Sequence, residues 1–217
     1  MFNSTFDIRH STFLNVSRVA RRGAFLGGIT SEVRSRAAAL LRQATGTAID
    51  VGCGNALLFA EVGSGTALRR VGLDGDLALL REARGVLADN GASGARLVRG
   101  DAFRLPFRAG AADEVLLLNT LVNLPSNDLS EGLLRALMEV CRPGGRLIFD
   151  IRNGWNPILR MRYALHNLST DFTTRTHRLA RIRRLCAANG FEVVRAEPVG
   201  PRWMAWAYLI EAVKRET

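Results

Sequence analysis

The sequence predicts an α/β fold: a doubly wound, mostly parallel seven-stranded sheet with an antiparallel last strand, preceded by an N-terminal helical cap. Three observations carry this expectation. Apolar strand-like runs alternate with helix-like segments five times between residues 47 and 151, the pattern of parallel strands joined by right-handed crossovers. The first run opens directly into a glycine turn, Gly52-Cys-Gly54, and a following helix. The last two runs, Phe191 to Glu197 and Trp203 to Val213, are separated only by Pro198-Val-Gly-Pro201. No helix fits in that connection, so these strands pair as an antiparallel hairpin.

Taken in order, residues 11–22 place Phe13, Val16 and Ala20 on one helical face, with Arg18, Arg21 and Arg22 largely off it. Gly23 and the Gly27-Gly28 pair interrupt that pattern, and Thr30 or Ser31 is positioned to cap a second helix running to Gln43. The first strand ends at Val51, a helix opens at Asn55, and the second strand ends at Asp74. Asp76 caps a helix that stops at Asn90-Gly91. Residues 95–101 form the third strand and residues 112–119 the fourth, whose unbroken apolar run suits a sheet covered on both faces. Ser126 or Asn127 opens the next helix, Pro143-Gly144-Gly145 ends it, and residues 146–151 form the fifth strand. Residues 152–172 read as irregular, and a helix is expected from Thr173 to Asn189. The chain thus divides into a cap, residues 1–43, and a main domain, residues 44–217, whose insert 152–172 adds to the cap.

At 217 residues, with 47% hydrophobic and 23% charged residues, the composition is that of a globular domain with a full α/β core. No apolar run approaches a membrane span, and Asp7, Ser17 and Arg18 disrupt any secretory leader at the N-terminus. Cys53, Cys141 and Cys186 are odd in number and scattered, which excludes a disulfide framework or a zinc-ligand spacing and suits the reducing cytoplasm. The net charge is +10, and its excess is confined to two segments. Residues 1–41 carry +4 and residues 152–186 carry +7, while the rest of the chain is nearly balanced.

The chemistry gathers at the first two strand tips. Gly52 and Gly54 stand where the chain must turn sharply and let a ligand approach its backbone. Asp74 follows Gly54 by 20 residues. A carboxylate at that spacing, on the neighbouring strand tip, suits the paired hydroxyls of a ribose. Ordinary loop glycines and a capping aspartate would produce the same letters, so the turn alone does not decide the ligand.

Further motifs decide it. Ile49-Asp-Val-Gly-Cys-Gly, Val71-Gly-Leu-Asp74, Arg99-Gly-Asp-Ala-Phe-Arg-Leu-Pro-Phe107, the Ala112-Asp-Glu-Val strand, Arg142-Pro-Gly-Gly-Arg-Leu-Ile and Asn189-Gly-Phe-Glu-Val-Val occur in this order. Together they resemble the class I, Rossmann-like S-adenosylmethionine-dependent methyltransferases, across roughly residues 44–213, and in particular the small-molecule type. The Leu-Pro-Phe element and the terminal hairpin set the chain apart from nicotinamide dehydrogenases. The resemblance implies S-adenosylmethionine as cofactor and S-adenosylhomocysteine as product. It implies that Gly52, Cys53 and Gly54 lie against the methionine and ribose portion and that Asp50 holds the amino group. Asp74, with Gly75 beside it, would take the ribose hydroxyls. Asp101 and the Ala102 N–H would meet the adenine, and Asn119 would border the sulfonium. Two departures stand out. Ala56 occupies a position where the family often has glycine, and the strand-four tip reads Asn119-Thr-Leu-Val-Asn123 instead of the Asn/Asp-Pro-Pro-Tyr of many nucleobase methylases. Asn123 also falls near where many small-molecule members carry histidine.

A sulfonium makes methyl transfer favourable by itself, so positioning and water exclusion are the protein's main tasks, and neither a triad nor a metal cluster is expected. His10, His166 and His177 are candidate bases if the acceptor must lose a proton, although lone histidines are commonly surface or capping residues. Asn123, Arg152, Asn153, Trp155 and Tyr163, at or after strand tips, are candidates for an acceptor pocket; Trp203 is a further aromatic candidate, and packing is the plainer role for all three aromatics. The expected acceptor is a small molecule, anionic or lipid-like, and the like charges of the two basic segments also allow peripheral contact with a membrane surface. RNA methylation through the two basic segments is the alternative, weakened by the lack of an appended RNA-binding module. A catalytically silent scaffold is the third reading, and the intact motifs argue against it.

Overall fold

The computed structural model describes residues 27–169 and 174–216. The helix expected over residues 11–22, and His10, lie outside them. Seven strands form one sheet in the order β3-β2-β1-β4-β5-β7-β6. They are β1 (Gly46–Val51), β2 (Leu68–Asp74), β3 (Arg96–Arg99), β4 (Ala112–Leu117), β5 (Cys141–Arg152), β6 (Phe191–Val199) and β7 (Ala207–Lys214). The pairs linking β1 to β5 are parallel. β7 runs antiparallel to both β5 and β6, as the short connection requires.

The described helices are α1 (Gly27–Leu41), α2 (Leu57–Val62), α3 (Leu77–Asp89), α4 (Asn127–Val140), α5 (Pro157–Ser169) and α6 (Leu179–Ala188). Alternation along the strands divides the core into two layers. Ile49, Val115, Leu117 and Phe149 face Leu133 and Leu137 of α4 and Ile182 of α6. Ala48, Leu116 and Ile148 face the other way, toward Val33 and Ala37 of α1, Phe59 of α2 and Leu87 of α3. Helix α1 therefore belongs to the body of the sheet. Its Arg36 also bonds Glu197 and the Pro198 carbonyl, both at 2.8 Å, on β6.

Several elements differ from the sequence expectation: α1 starts at Gly27, ahead of the Thr30 or Ser31 expected to cap it, and β5 starts at Cys141 and runs through Pro143-Gly144-Gly145. Three further differences have a clear physical reason. Residues 157–169 are helical where irregular chain was expected: Asn156 Oδ1 accepts the Leu159 N–H at 2.9 Å, and Pro157 occupies the first helical position. Helix α6 starts at Leu179 because residues 174–178 are drawn out by tertiary backbone bonds. Arg175 N–H reaches the Val122 carbonyl and His177 N–H the Arg152 carbonyl, both at 2.8 Å. β7 begins at Ala207, since a short 3-10 turn at Arg202–Met204 precedes it and Trp206 N–H closes onto the Val199 carbonyl.

Candidate active site

Chain order reverses between β1 and β4, which neighbour each other at the centre of the sheet. In such folds ligands bind in the crevice at the carboxyl ends of these strands. A cleft of about 400 Å³ opens there, walled by the turn after β1, the tip of β2, the segment after β4 and α1.

The glycine turn is clamped to its neighbour strand. Gly52 and Cys53 N–H groups both donate to the Leu73 carbonyl, at 2.8 and 3.0 Å. The Gly54 N–H donates to Asp74 Oδ2 at 2.8 Å, and the Asp76 N–H donates to Asp74 Oδ1 at the same distance. Asp74 thus holds two turns at once, one with each carboxylate oxygen. Gly52 and Gly54 have φ of 77° and 53°, in the left-handed region that glycine enters without strain. A Cβ on Gly54 would meet no protein atom within 4 Å, so the backbone here faces open space. Ala56 also has positive φ, 58°, just before α2, so the position that often holds glycine in the resembling family holds a strained alanine here.

Cys53 is seated against Gly72: a Cβ there would lie 2.8 Å from the Cys53 sulfur. Burial, followed by the charges of Asp50 and Asp74, pushes the thiol well above its ordinary range, so it is a neutral packing group and not a nucleophile. Burial and then the Asp74 charge raise Asp50 to about 7. Asp50 forms no ion pair among the described residues. Two buried carboxylates in one cleft wall suit a ligand that brings positive charge, as S-adenosylmethionine does with its sulfonium and ammonium groups.

The opposite wall is the tip of β4. Asn119 has a φ of 54° and is held from three sides. Its N–H donates to Asp150 Oδ1, its Oδ1 accepts from Arg152 Nη2 at 2.9 Å, and its carbonyl accepts from Asn123 Nδ2 at 3.0 Å. Arg152 also bonds Asp150 Oδ2, and both side chains are almost fully buried. The Asp150–Arg152 pair was not anticipated from sequence, yet it orients Asn119. Its signal was two charged residues at i and i+2 in the apolar run Leu147-Ile-Phe-Asp-Ile-Arg, hence on one face of the strand.

The cleft wall brings together Asp50, Gly52, Cys53, Gly54, Asp74, Asn119 and Asn123. Thr30 and Arg34 of α1, and Glu82 of α3, join them without having been singled out from sequence. The other expected residues stand apart from this wall. Gly75 follows Asp74 at the β2 tip. Asp101 Oδ1 accepts the Phe103 N–H at 2.9 Å beyond β3, and Ala102 is buried. Arg152 lies beneath Asn119. Asn153 braces the chain, its Nδ2 donating to the Ala205 carbonyl at 3.0 Å. Trp155 is exposed under the Arg178 guanidinium, 5.0 Å from the ring centre. Tyr163 is buried with Val122 and Leu159 near Arg152; burial raises its phenol. His177 is buried with Nε2 3.4 Å from the Leu121 carbonyl, and burial lowers its pKa, keeping it neutral. His166 is half-buried on α5.

A family model described as a methyltransferase domain matches residues 48–145. No curated protein matches the chain. Among solved structures, magnesium protoporphyrin IX methyltransferase from Synechocystis PCC 6803 with bound S-adenosylhomocysteine is similar at 20% identity and a TM-score of 0.73. That likeness covers 97% of this chain and all of the other. A S-adenosylmethionine-dependent methyltransferase from Methanosarcina mazei is 18% identical with a TM-score of 0.65, over 81% of this chain and 95% of the other. At such identities the structural likeness is one of fold. Residues 48–145 thus match a methyltransferase domain, and the chain has the fold of the class I, Rossmann-like, S-adenosylmethionine-dependent methyltransferases.

Proposed function

We propose that this enzyme transfers the methyl group of S-adenosylmethionine to an O, N or C centre of a small acceptor, anionic or lipid-like, in the cleft between the tips of β1 and β4. The observation that carries the reading is the buried Asp50, without an ion pair among the described residues, beside Asp74 at the switch point of the sheet. When bound, the cofactor supplies an electrophilic methyl on a positively charged sulfur. The protein then has to orient it, admit the acceptor in line, and keep water out. Asp74 holds the ribose hydroxyls and Asp50 the amino group, while Gly52, Cys53 and Gly54 let the backbone approach. Gly75, Asp101 and Ala102 serve the ribose and adenine end. Asn119, stiffened by Arg152 and Asp150, borders the methyl, and Asn123 follows it toward the acceptor side. Arg152 is a positioning residue in this scheme, since its guanidinium is committed to Asp150 and Asn119. Of the expected lid, residues 1–41 and 152–186, α1 and α6 pack into the body of the sheet, which leaves residues 1–26 and the segment around α5 to act as the lid.

A small acceptor fits the arginines better than RNA does. Arg34, Arg36, Arg142, Arg146, Arg152 and Arg181 are all engaged by carboxylates of the protein itself. The test is turnover of methyl-labelled cofactor in cell extract, with the label sorted into small-molecule, RNA and protein fractions. Label in the small-molecule fraction, with modest salt dependence, is the expected result. Label in RNA, with binding that falls by orders of magnitude from low to moderate salt, would replace this reading.

A further inference from the structure

Helix α5 carries apolar side chains on two opposite faces. Leu159 and Tyr163 turn inward and pack on Val122, in the 3-10 turn whose Asn123 lines the cofactor cleft. Ile158, Met161, Leu165 and Leu168 remain exposed, from 40% at Ile158 to 85% at Leu168. At 3.6 residues per turn, these four fall within an arc of about 80°, directly opposite the buried side. Arg162 borders the arc on one flank and Arg160 on the other, both exposed. The helix contains no acidic residue. At its amino-terminal end stand Trp155 and Trp203, 69% and 80% exposed. The segments bearing them are tied together, since Asn156 Nδ2 donates to the Met204 and Ala205 carbonyls at 3.2 and 3.1 Å. The Arg178 guanidinium covers the Trp155 ring.

Single exposed apolar residues are ordinary, but four aligned on one helix with two tryptophans and arginine borders form an interaction surface. Charge decides what covers it. Residues 1–26 hold four arginines against one aspartate, and a second copy of the chain would bring the same Arg160 and Arg162. Either occupant sets like charges against each other. An anionic lipid surface takes the apolar arc into its acyl boundary, pairs the flanking guanidinium groups with headgroups, and accepts tryptophan at the interface. We propose that the outward face of α5, with Trp155 and Trp203, seats this protein on an anionic bilayer. α5 leaves the carboxyl end of β5, so contact there places the lipid surface at the same edge of the sheet as the cofactor cleft.

The test is sedimentation of the full chain with vesicles of phosphatidylcholine alone and of phosphatidylcholine mixed with phosphatidylglycerol, without cofactor, so that it reads seating independently of methyl transfer. Partition should favour the anionic vesicles and weaken with salt. Leu165→Glu combined with Leu168→Glu should lower it by about tenfold or more with an unchanged circular dichroism spectrum. Arg160→Gln, which leaves the apolar arc whole, should reduce only the preference for anionic lipid. The proposal is overturned if the wild-type chain does not partition onto anionic vesicles, or if the double glutamate variant partitions as wild type does. It is equally overturned if only Phe13→Glu with Val16→Glu abolishes binding, which would make the N-terminal segment the anchor. A dimer in sedimentation velocity, dissociated by the double variant and without vesicle binding, would assign the face to a second copy.

Discussion

Asp50 and Asp74 share a wall, and burial together with the Asp74 charge brings Asp50 to about 7. The sign follows from this. A carboxyl raised above its unfolded value stabilises the ligand-free fold fully below that unfolded value, and the contribution is lost as pH rises through about 7. A cofactor carrying positive charge favours the ionised form, so its binding expels a proton near neutrality. Cofactor affinity should therefore rise with pH through about 7, and Asp50→Asn should flatten that dependence. Calorimetry in buffers of different ionisation heat measures the proton released; an equal release in the variant would remove Asp50 from this role. Asp74→Ala withdraws a charged acceptor worth about 1.5–3 kcal/mol, a loss of roughly tenfold to more than a hundredfold in cofactor affinity. It also frees the Gly54 and Asp76 N–H groups that Asp74 holds, so part of the loss is of the turn itself. Unchanged affinity would remove Asp74 from the ribose site.

Among the elements, the three central strands β4, β5 and β7 are tied by Arg146. Its guanidinium reaches Glu114 on β4 and Glu211 on β7, both at 2.8 Å. Burial pushes Glu114 upward against the pull of Arg146, so this carboxylate needs its partner. Arg146→Met leaves two nearly buried carboxylates facing each other and should destabilise the protein by about 2–4 kcal/mol, less than for a fully buried pair because the arginine is partly exposed. Chemical denaturation measures it. Adding Glu114→Gln and Glu211→Gln should recover most of the loss; no recovery would mean that Arg146 acts by packing alone. The same scale shows where sequence periodicity fell short. Asn156-Pro157 was a legible helix start, and the aromatic and charged residues after it masked the period of α5. Residues 174–178, by contrast, have no local signal for extension, because their backbone partners Val122, Arg152 and Gly154 come from far along the chain.

For the whole molecule, α1 contributes Thr30 and Arg34 to the cleft wall. With residues 1–26 as part of the lid, their deletion should leave cofactor affinity within a few-fold and abolish methyl transfer. Normal turnover in the truncated protein, or an equal loss of cofactor binding, would sink that assignment. Binding by isothermal titration and transfer of labelled methyl, read on the same preparation, separate the two outcomes.

The sequence alone determined the succession of strands and helices, the crossover pattern and the terminal hairpin, and it singled out the residues at the tips of β1 and β2 that line the cleft. Each of these is local: an apolar run, a turn that demands glycine, an acid at the next strand tip. The tertiary structure decided which side chains share a space. It buried Arg152 and Asp150 beneath Asn119, turned Tyr163 inward, and left Trp155, Trp203 and one face of α5 exposed. Such placements depend on contacts between residues distant in the chain, whose pairing is fixed by packing and buried hydrogen bonds and leaves little mark on local periodicity.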